Sequence, residues 1–410
     1  MKVTKLNNCR VCGNENLTEV LNLGEQELTG VFPKSKFEKL TSGLLDLFFC
    51  HECGLLQLGH SYNLREMYGD NYGYRSGLNP SMVEHLASKI NMLESMYTLS
   101  ATDVVLDIGS NDGTSLNSYK TEYIRKIGMD PAGKKFSKYY NDDIELIPDF
   151  FSADNFRKVC NKKVKIVTSI SMFYDLESPI GFAKQIEEIL DDDGIWHLEQ
   201  SYMPAMLRNN AYDTICHEHL EYYSLSIIKY ILEAASLKII NISTNDINGG
   251  SFTVTAAKDN SLYNPNFSLI NWLLRQEQEM GLNTLKPYLD FAERVKEHRY
   301  QFNDLLNSLN KDGKLIFGYG ASTKGNVILQ YCGLSSKQIK TIIEVNPDKF
   351  GSFTPGTLIP IDDETKIRET KPDYFVVFPW HFRNGILAKE KEYLKSGGHF
   401  IFPLPFIEVV

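Results

Sequence analysis

Four groups of side chains in this 410-residue chain have the types and spacing to do chemistry. Cys9-Arg10-Val11-Cys12 and Cys50-His51-Glu52-Cys53 are paired C-x-x-C knuckles. Two intervening residues let both thiolates of a knuckle reach one tetrahedral ion, and two knuckles complete its four ligands. A closed, structural zinc site is therefore expected, with His51 or His60 as substitute ligands. The second group, Asp107-Ile108-Gly109-Ser110-Asn111-Asp112-Gly113, follows the apolar run Val104-Val105-Leu106 and has glycines where a chain bends sharply from a strand into a helix. The third is His217-Glu218-His219. The H-E-x-x-H spacing of a shared metal is absent, and what the two imidazoles offer is a base that titrates near neutrality. The fourth is a second glycine-rich turn, Gly318-Tyr319-Gly320-Ala321-Ser322-Thr323, followed by Lys324 and, 24 residues beyond Gly320, by Glu344.

The two turns differ in charge. In the first, Asn111 stands where a dinucleotide fingerprint needs its second glycine, and Asp107 at the strand end repels a phosphate but suits an ammonium or sulfonium. Asp130 lies 21 residues beyond Gly109, the distance at which an acid meets ribose hydroxyls. Together these residues point to S-adenosylmethionine. In the second turn, Lys324 and backbone N–H groups suit the pyrophosphate of a nucleotide sugar. Taken alone, the same turn also fits the rival reading of an NAD-dependent oxidoreductase.

The elements that must carry these groups follow from the hydrophobic pattern. Residues 1 to about 60 are short apolar runs broken by Cys, Gly and Asn, which suits a small loop-rich module held by metal rather than by a core, with a larger loop or small sheet in the 37 residues between Cys12 and Cys50. From about 80 to 240, DVVLDIGS, RKIGMDP, VKIVTSIS and DGIWHLEQ read as buried strands alternating with helices, hence a parallel sheet covered on both faces. A long helix-rich stretch then leads to KLIFGYG, IKTIIEVN, YFVVFPW and GHFIFPLP, the strands of a second α/β unit. The fold class expected is α/β: a zinc-binding module over 1–75, a Rossmann-like S-adenosylmethionine-binding domain over 76–245 and a second Rossmann-like unit over 246–410.

Composition excludes several classes. Hydrophobic residues make up 42% and charged residues 23%, so the chain is globular and not disordered. A formal charge of -9 speaks against nucleic acid or an anionic membrane as main partner. The start lacks the apolar core of a signal peptide and no run approaches a membrane span, so a cytoplasmic protein is expected, with monomer as the working assumption. In that reducing compartment the seven cysteines are not a disulfide set, and Cys160, Cys216 and Cys332 stand alone.

The sequence resembles the nucleotide-sugar C-methyltransferases, three-domain enzymes that methylate keto-deoxysugars. The likeness is carried by the four cysteines, Tyr72-Gly73-Tyr74-Arg75-Ser76-Gly77, DIGSNDGT, Asp149-Phe150-Phe151-Ser152, Asp213-Thr214-Ile215-Cys216-His217-Glu218-His219-Leu220, Gly249-Gly250-Ser251, Gly318 through Asn326, and Thr354-Pro355-Gly356-Thr357. The resemblance implies that Asp107, Gly109, Asn111, Gly113 and Asp130 hold the methyl donor, with Phe150 and Phe151 near its adenine. It implies that His219 removes a proton next to the ketone, with Glu218 at the substrate and Tyr72, Tyr74 and His217 as further candidates, so that an enolate is methylated at C-3 of a 4-keto sugar. For the nucleotide sugar it implies Cys216, Tyr222, Asn248, Gly318, Gly320, Ser322, Lys324, Asn326 and Glu344. Two positions depart from the family pattern. Cys216 replaces a tyrosine, and Asn248 stands where histidine is common. The first leaves open a third reading, a zinc-containing binding protein without catalysis.

Overall fold

The computed structural model describes residues 3–68 and 74–410, so Tyr72 lies outside the described residues. An antiparallel four-stranded sheet forms the N-terminal region, in the order Glu221–Tyr222, Leu56–Leu58, Ser42–Cys50, Leu17–Glu27. Alternating residues of its strands, among them Leu45, Leu47, Phe49, Leu56 and Leu58, are fully buried. This corrects the expectation of a module held by metal alone, because the sheet shares one continuous apolar core with the long helix Lys286–Lys311 and the C-terminal sheet. The knuckles take matching turns. Gly13 and Gly54, at φ +74° and +83°, each donate their N–H to the carbonyl of the first cysteine of the pair, at 2.9 Å, a backbone geometry that glycine adopts without strain. Cys9, Val11, Cys50 and Leu55 pack instead into the core of the middle domain.

That domain is a seven-stranded sheet. Numbered along the chain as Val104–Ile108, Arg125–Met129, Ile144–Ile147, Val164–Ile170, Leu190–Ser201, Leu237–Asn245 and Ser251–Lys258, its strands lie in the order 3-2-1-4-5-7-6. The last strand runs antiparallel to both neighbours, and the pairings 1-2, 2-3, 1-4 and 4-5 are parallel. Every residue of Val104–Ile108 is buried, as a central parallel strand covered on both faces requires. The boundary expected between 245 and 246 falls inside the hairpin of strands 6 and 7, whose eight paired positions tie Ser251–Lys258 to this sheet. Helix Pro80–Met96 begins with proline in its first turn and Asn79 accepting from the Ser81 N–H, and it lays Met82 and Leu86 over the first glycine-rich turn. It is anchored by Glu199, a buried carboxylate that receives His85, Lys89 at 2.8 Å and Asn245 at 2.9 Å.

The C-terminal sheet has six strands in the order Ile361–Asp363, Ile342–Glu344, Ile316–Tyr319, Tyr374–Val377, His399–Phe402, Glu408–Val409, all parallel except the last. Helix Thr323–Cys332 follows the second turn, capped by Ser322, whose hydroxyl accepts the Gly325 N–H, and closed by Gly333 in the left-handed region. Among the described residues no helix is long and apolar enough to cross a membrane.

Candidate active site

The C-terminal ends of strands 1, 2 and 4 of the middle sheet open on a cleft of about 320 Å³. Its wall is apolar (Met82, Leu86, Met129, Phe150, Phe151, Phe182) and carries three carboxyls, Asp107, Asp130 and Asp175. Among the described residues no lysine or arginine lines it. A cleft with acids and no cations fits a cationic, adenosine-sized molecule and disfavours a pyrophosphate. Asp107 accepts from the Thr168 hydroxyl at 2.6 Å, and burial pushes its carboxyl up to about 7. Asp130 accepts the N–H groups of Asn111 at 2.8 Å and Ala132 at 2.6 Å; burial raises it too, and each oxygen keeps a lone pair for a ribose hydroxyl. Gly109 lines the cleft at φ +74°, and a Cβ there would press on Met172 at 3.1 Å. These residues fit S-adenosylmethionine, which supplies a methyl group on a sulfonium.

Two residues of the turn act differently from expectation. The Asn111 side chain accepts the Ser76 N–H at 2.9 Å and donates to the Tyr74 carbonyl at 3.3 Å, so it ties the segment carrying Tyr74 across the cleft. Gly113 is outside the lining; its missing Cβ makes room for the Tyr140 ring, 2.9 Å away.

The second centre adjoins this cleft. His219 Nδ1 lies 2.8 Å from the Thr214 carbonyl, which can only accept, so Nδ1 carries the proton and Nε2 keeps its lone pair. Burial, then the Lys324 ammonium, push the ring down to about 3, so it is neutral at physiological pH. Its face meets Tyr174 with ring centroids 4.3 Å apart. Glu218 is buried beside Cys216 and Thr29, and burial raises its carboxyl. His217 and Tyr222, expected at the site, are instead enclosed in the N-terminal core, His217 edge-on to Tyr62 at 4.7 Å and Tyr222 in the strand paired with Leu56.

From the C-terminal unit, Lys324 reaches across to the Asn248 carbonyl at 2.9 Å. Gly320 stays in the turn at φ +82°. Gly318 is a packing residue, since a Cβ would strike Ile342, and the Asn326 Nδ2 donates to the Thr29 carbonyl at 2.8 Å while its buried Oδ1 has no partner among the described residues. Glu344 takes the N–H groups of Ala321, Val345 and Asn346, with Lys349 at 3.7 Å, which leaves little for a ribose and weakens the dinucleotide reading. Sequence reasoning missed Tyr174 and Asp175 on the turn after strand 4, and Trp380, whose Nε1 donates at 2.7 Å to Asp213, the first residue of the motif that carries His219. It also missed His381, held down to about 3 by burial and Lys324. A carboxylate just past a parallel strand end was the available signal for Asp175.

The four cysteine sulfurs lie within 4.8 Å of one another, with Cys9 to Cys53 at 3.6 Å and Cys12 to Cys50 at 3.5 Å. A tetrahedron of thiolates at zinc's bond length has edges of about 3.8 Å, so the set fits the ion. His51 and His60 are engaged elsewhere, with Thr18 and Asp46, both at 2.8 Å.

Residues 9–68 match a family described as "Putative zinc binding domain", 82–242 a methyltransferase domain, and 246–405 a C-methyltransferase C-terminal domain. The C-methyltransferase NovU of Streptomyces niveus is 29% identical over 412 residues, spanning 100% of this chain and 98% of its own length. Among solved structures, the mitomycin 7-O-methyltransferase MmcR is 13% identical at a TM-score of 0.36, over 48% of this chain and 61% of its own. An S-adenosylmethionine-dependent methyltransferase from Clostridium acetobutylicum is 12% identical at 0.34, over 43% and 92%. The chain is an S-adenosylmethionine-dependent C-methyltransferase with an N-terminal zinc-binding module, and the oxidoreductase reading gives way.

Proposed function

We propose that the enzyme methylates C-3 of a nucleotide-linked 4-keto-deoxysugar through an enolate. The observation that carries this reading is the His219 ring. Its Nδ1–H is fixed on the Thr214 carbonyl, its Nε2 lone pair is unpaired among the described residues, and it lies between the turn that lines the donor cleft and Lys324. The ketone acidifies the neighbouring C–H; Nε2 would take that proton and the electron pair would move to the carbonyl oxygen, and as the pair returned the carbon would bond to the methyl group while the methyl–sulfur bond broke and the sulfonium left as a neutral thioether. Lys324 and the N–H groups at the start of helix Thr323–Cys332 hold the diphosphate, and Glu218 contacts the sugar.

The test is a screen of thymidine, cytidine and guanosine diphosphate-linked 4-keto sugars with isotopically labelled methyl donor, read by mass spectrometry. A product one methyl group heavier, with the label on carbon, is expected. Label on a hydroxyl oxygen, or none with any keto sugar, would overturn the reading.

A further inference from the structure

An enolate needs a hydrogen-bond donor at its oxygen as well as a base at its carbon, and the phenols near His219 can be taken in turn. Tyr62 donates to the Leu44 carbonyl, and Tyr68 donates to Asp175 at 2.7 Å. The hydroxyls of Tyr222 and Tyr223 are buried with no hydrogen-bond partner among the described residues, but neither ring packs against His219. Tyr74 is 48% exposed, so water competes for it. Cys216 has only a weakly donating thiol, which burial pushes far up.

Tyr174 differs from all of these. It is 7% exposed, its ring packs edge-on against His219 with centroids 4.3 Å apart, and its hydroxyl is near Ser171. Both its sequence neighbourhood and its backbone fix it there. Ser171, Met172 and Asp175 line the donor cleft, and the Tyr174 carbonyl accepts the Leu220 N–H at 2.8 Å, which pins this turn to the segment that carries His219. Ser171 is held at φ +57°, a conformation costly for a residue with a side chain and typical of functional turns. We infer that the Tyr174 hydroxyl donates the hydrogen bond that stabilises the enolate oxygen, the part a thiol at position 216 cannot play. No proton leaves the phenol: His219 removes the C–H proton, and Tyr174 holds the charge that develops on oxygen.

The inference rests on the enolate reading above, so its test reads enolisation without methyl transfer. The keto sugar is incubated in deuterium oxide with the demethylated donor, and incorporation of deuterium next to the ketone is followed. Tyr174→Phe keeps the ring against His219 and removes only the hydroxyl. Exchange is expected to fall about 10²- to 10³-fold, the usual effect of losing an oxyanion donor. Donor affinity by calorimetry and the melting temperature stay at wild-type values, and kcat falls while KM for the sugar moves little. Exchange at the wild-type rate in Tyr174→Phe would overturn the inference. So would its loss in Tyr74→Phe or Cys216→Ala with Tyr174→Phe unaffected. A wild-type enzyme that methylates carbon but exchanges no proton would strike at the enolate itself, and this inference would go with it.

Discussion

The two glycine-rich turns share one construction and diverge in charge. In each, an acid at the end of the second strand accepts an N–H from the turn after the first: Asn111 to Asp130 at 2.8 Å, and Ala321 to Glu344 at 3.1 Å. Around the first, the additions are carboxyls, and the cleft is left without cations. Around the second they are lysines: Lys349 covers Glu344 and donates to the Ala321 carbonyl at 2.7 Å, while Lys324 points toward the His219 segment. A turn of this kind therefore specifies a backbone cradle, and the side chains at its rim decide whether a cation or an anion is received.

The largest test of that contrast is at the group between the turns. His219→Asn is expected to slow methyl transfer about 10²- to 10⁴-fold and to leave the binding of both ligands intact, as measured by single-turnover kinetics and calorimetry. Next come the rims. Asp130→Ala removes a charged acceptor and is expected to weaken the methyl donor by about 1.5–3 kcal/mol without changing affinity for the nucleotide sugar. If both ligands weaken equally, the division of labour is wrong. Cys12→Ser tests the zinc: zinc content should fall from one per chain, and the melting temperature with it, by roughly 5 °C or more, since the knuckles brace the middle domain's core.

A smaller effect separates the turns by pH. Only the ionised form of Asp107 attracts a cation, and burial holds its carboxyl up at about 7. Donor affinity is thus expected to rise as pH climbs through 7, about tenfold from pH 6 to 8, with proton release on binding visible in buffers of different ionisation enthalpy. Stability runs the other way. A carboxyl raised in the folded state is more protonated there than in the unfolded chain, so its contribution declines from about pH 4 to 7. The smallest effect is spectroscopic: Lys324→Gln removes a charge that depresses both His219 and His381, so both should titrate at higher pH by NMR.

Much of this was legible in local patterns. The paired knuckles, both strand-to-turn transitions and the acids at strand ends depend on residues near one another in sequence, and Asp107 and Asp130 line one cleft and the four cysteines form one cluster in keeping with their spacing, while Phe150 and Phe151, which only the family resemblance pointed to, line that same cleft. What local patterns could not supply were meetings between distant segments. His217 and His219 share a tripeptide, yet one packs against Tyr62 of the N-terminal region and the other against Tyr174 of the middle domain. Tyr174 and His381 join the site only because the chain returns to it twice, and no spacing rule spans those distances. The strand Ser251–Lys258 lies beyond the expected boundary, where the match to residues 246–405 also begins, yet it pairs with the middle sheet through a hairpin and through strand 5.

The antiparallel pairing of Glu221–Tyr222 with Leu56–Gln57 also sets a timetable for the making of the protein. Arg10, inside the first knuckle, has a buried side chain that donates to the Leu58 and His60 carbonyls and faces Glu221 at 3.8 Å. A ribosome adding about 5–20 residues per second delivers residue 222 on the order of 10 to 30 s after residue 56. Through that interval the nascent N-terminal sheet has an open edge, and zinc capture by the knuckles is what can hold it until its last strand emerges.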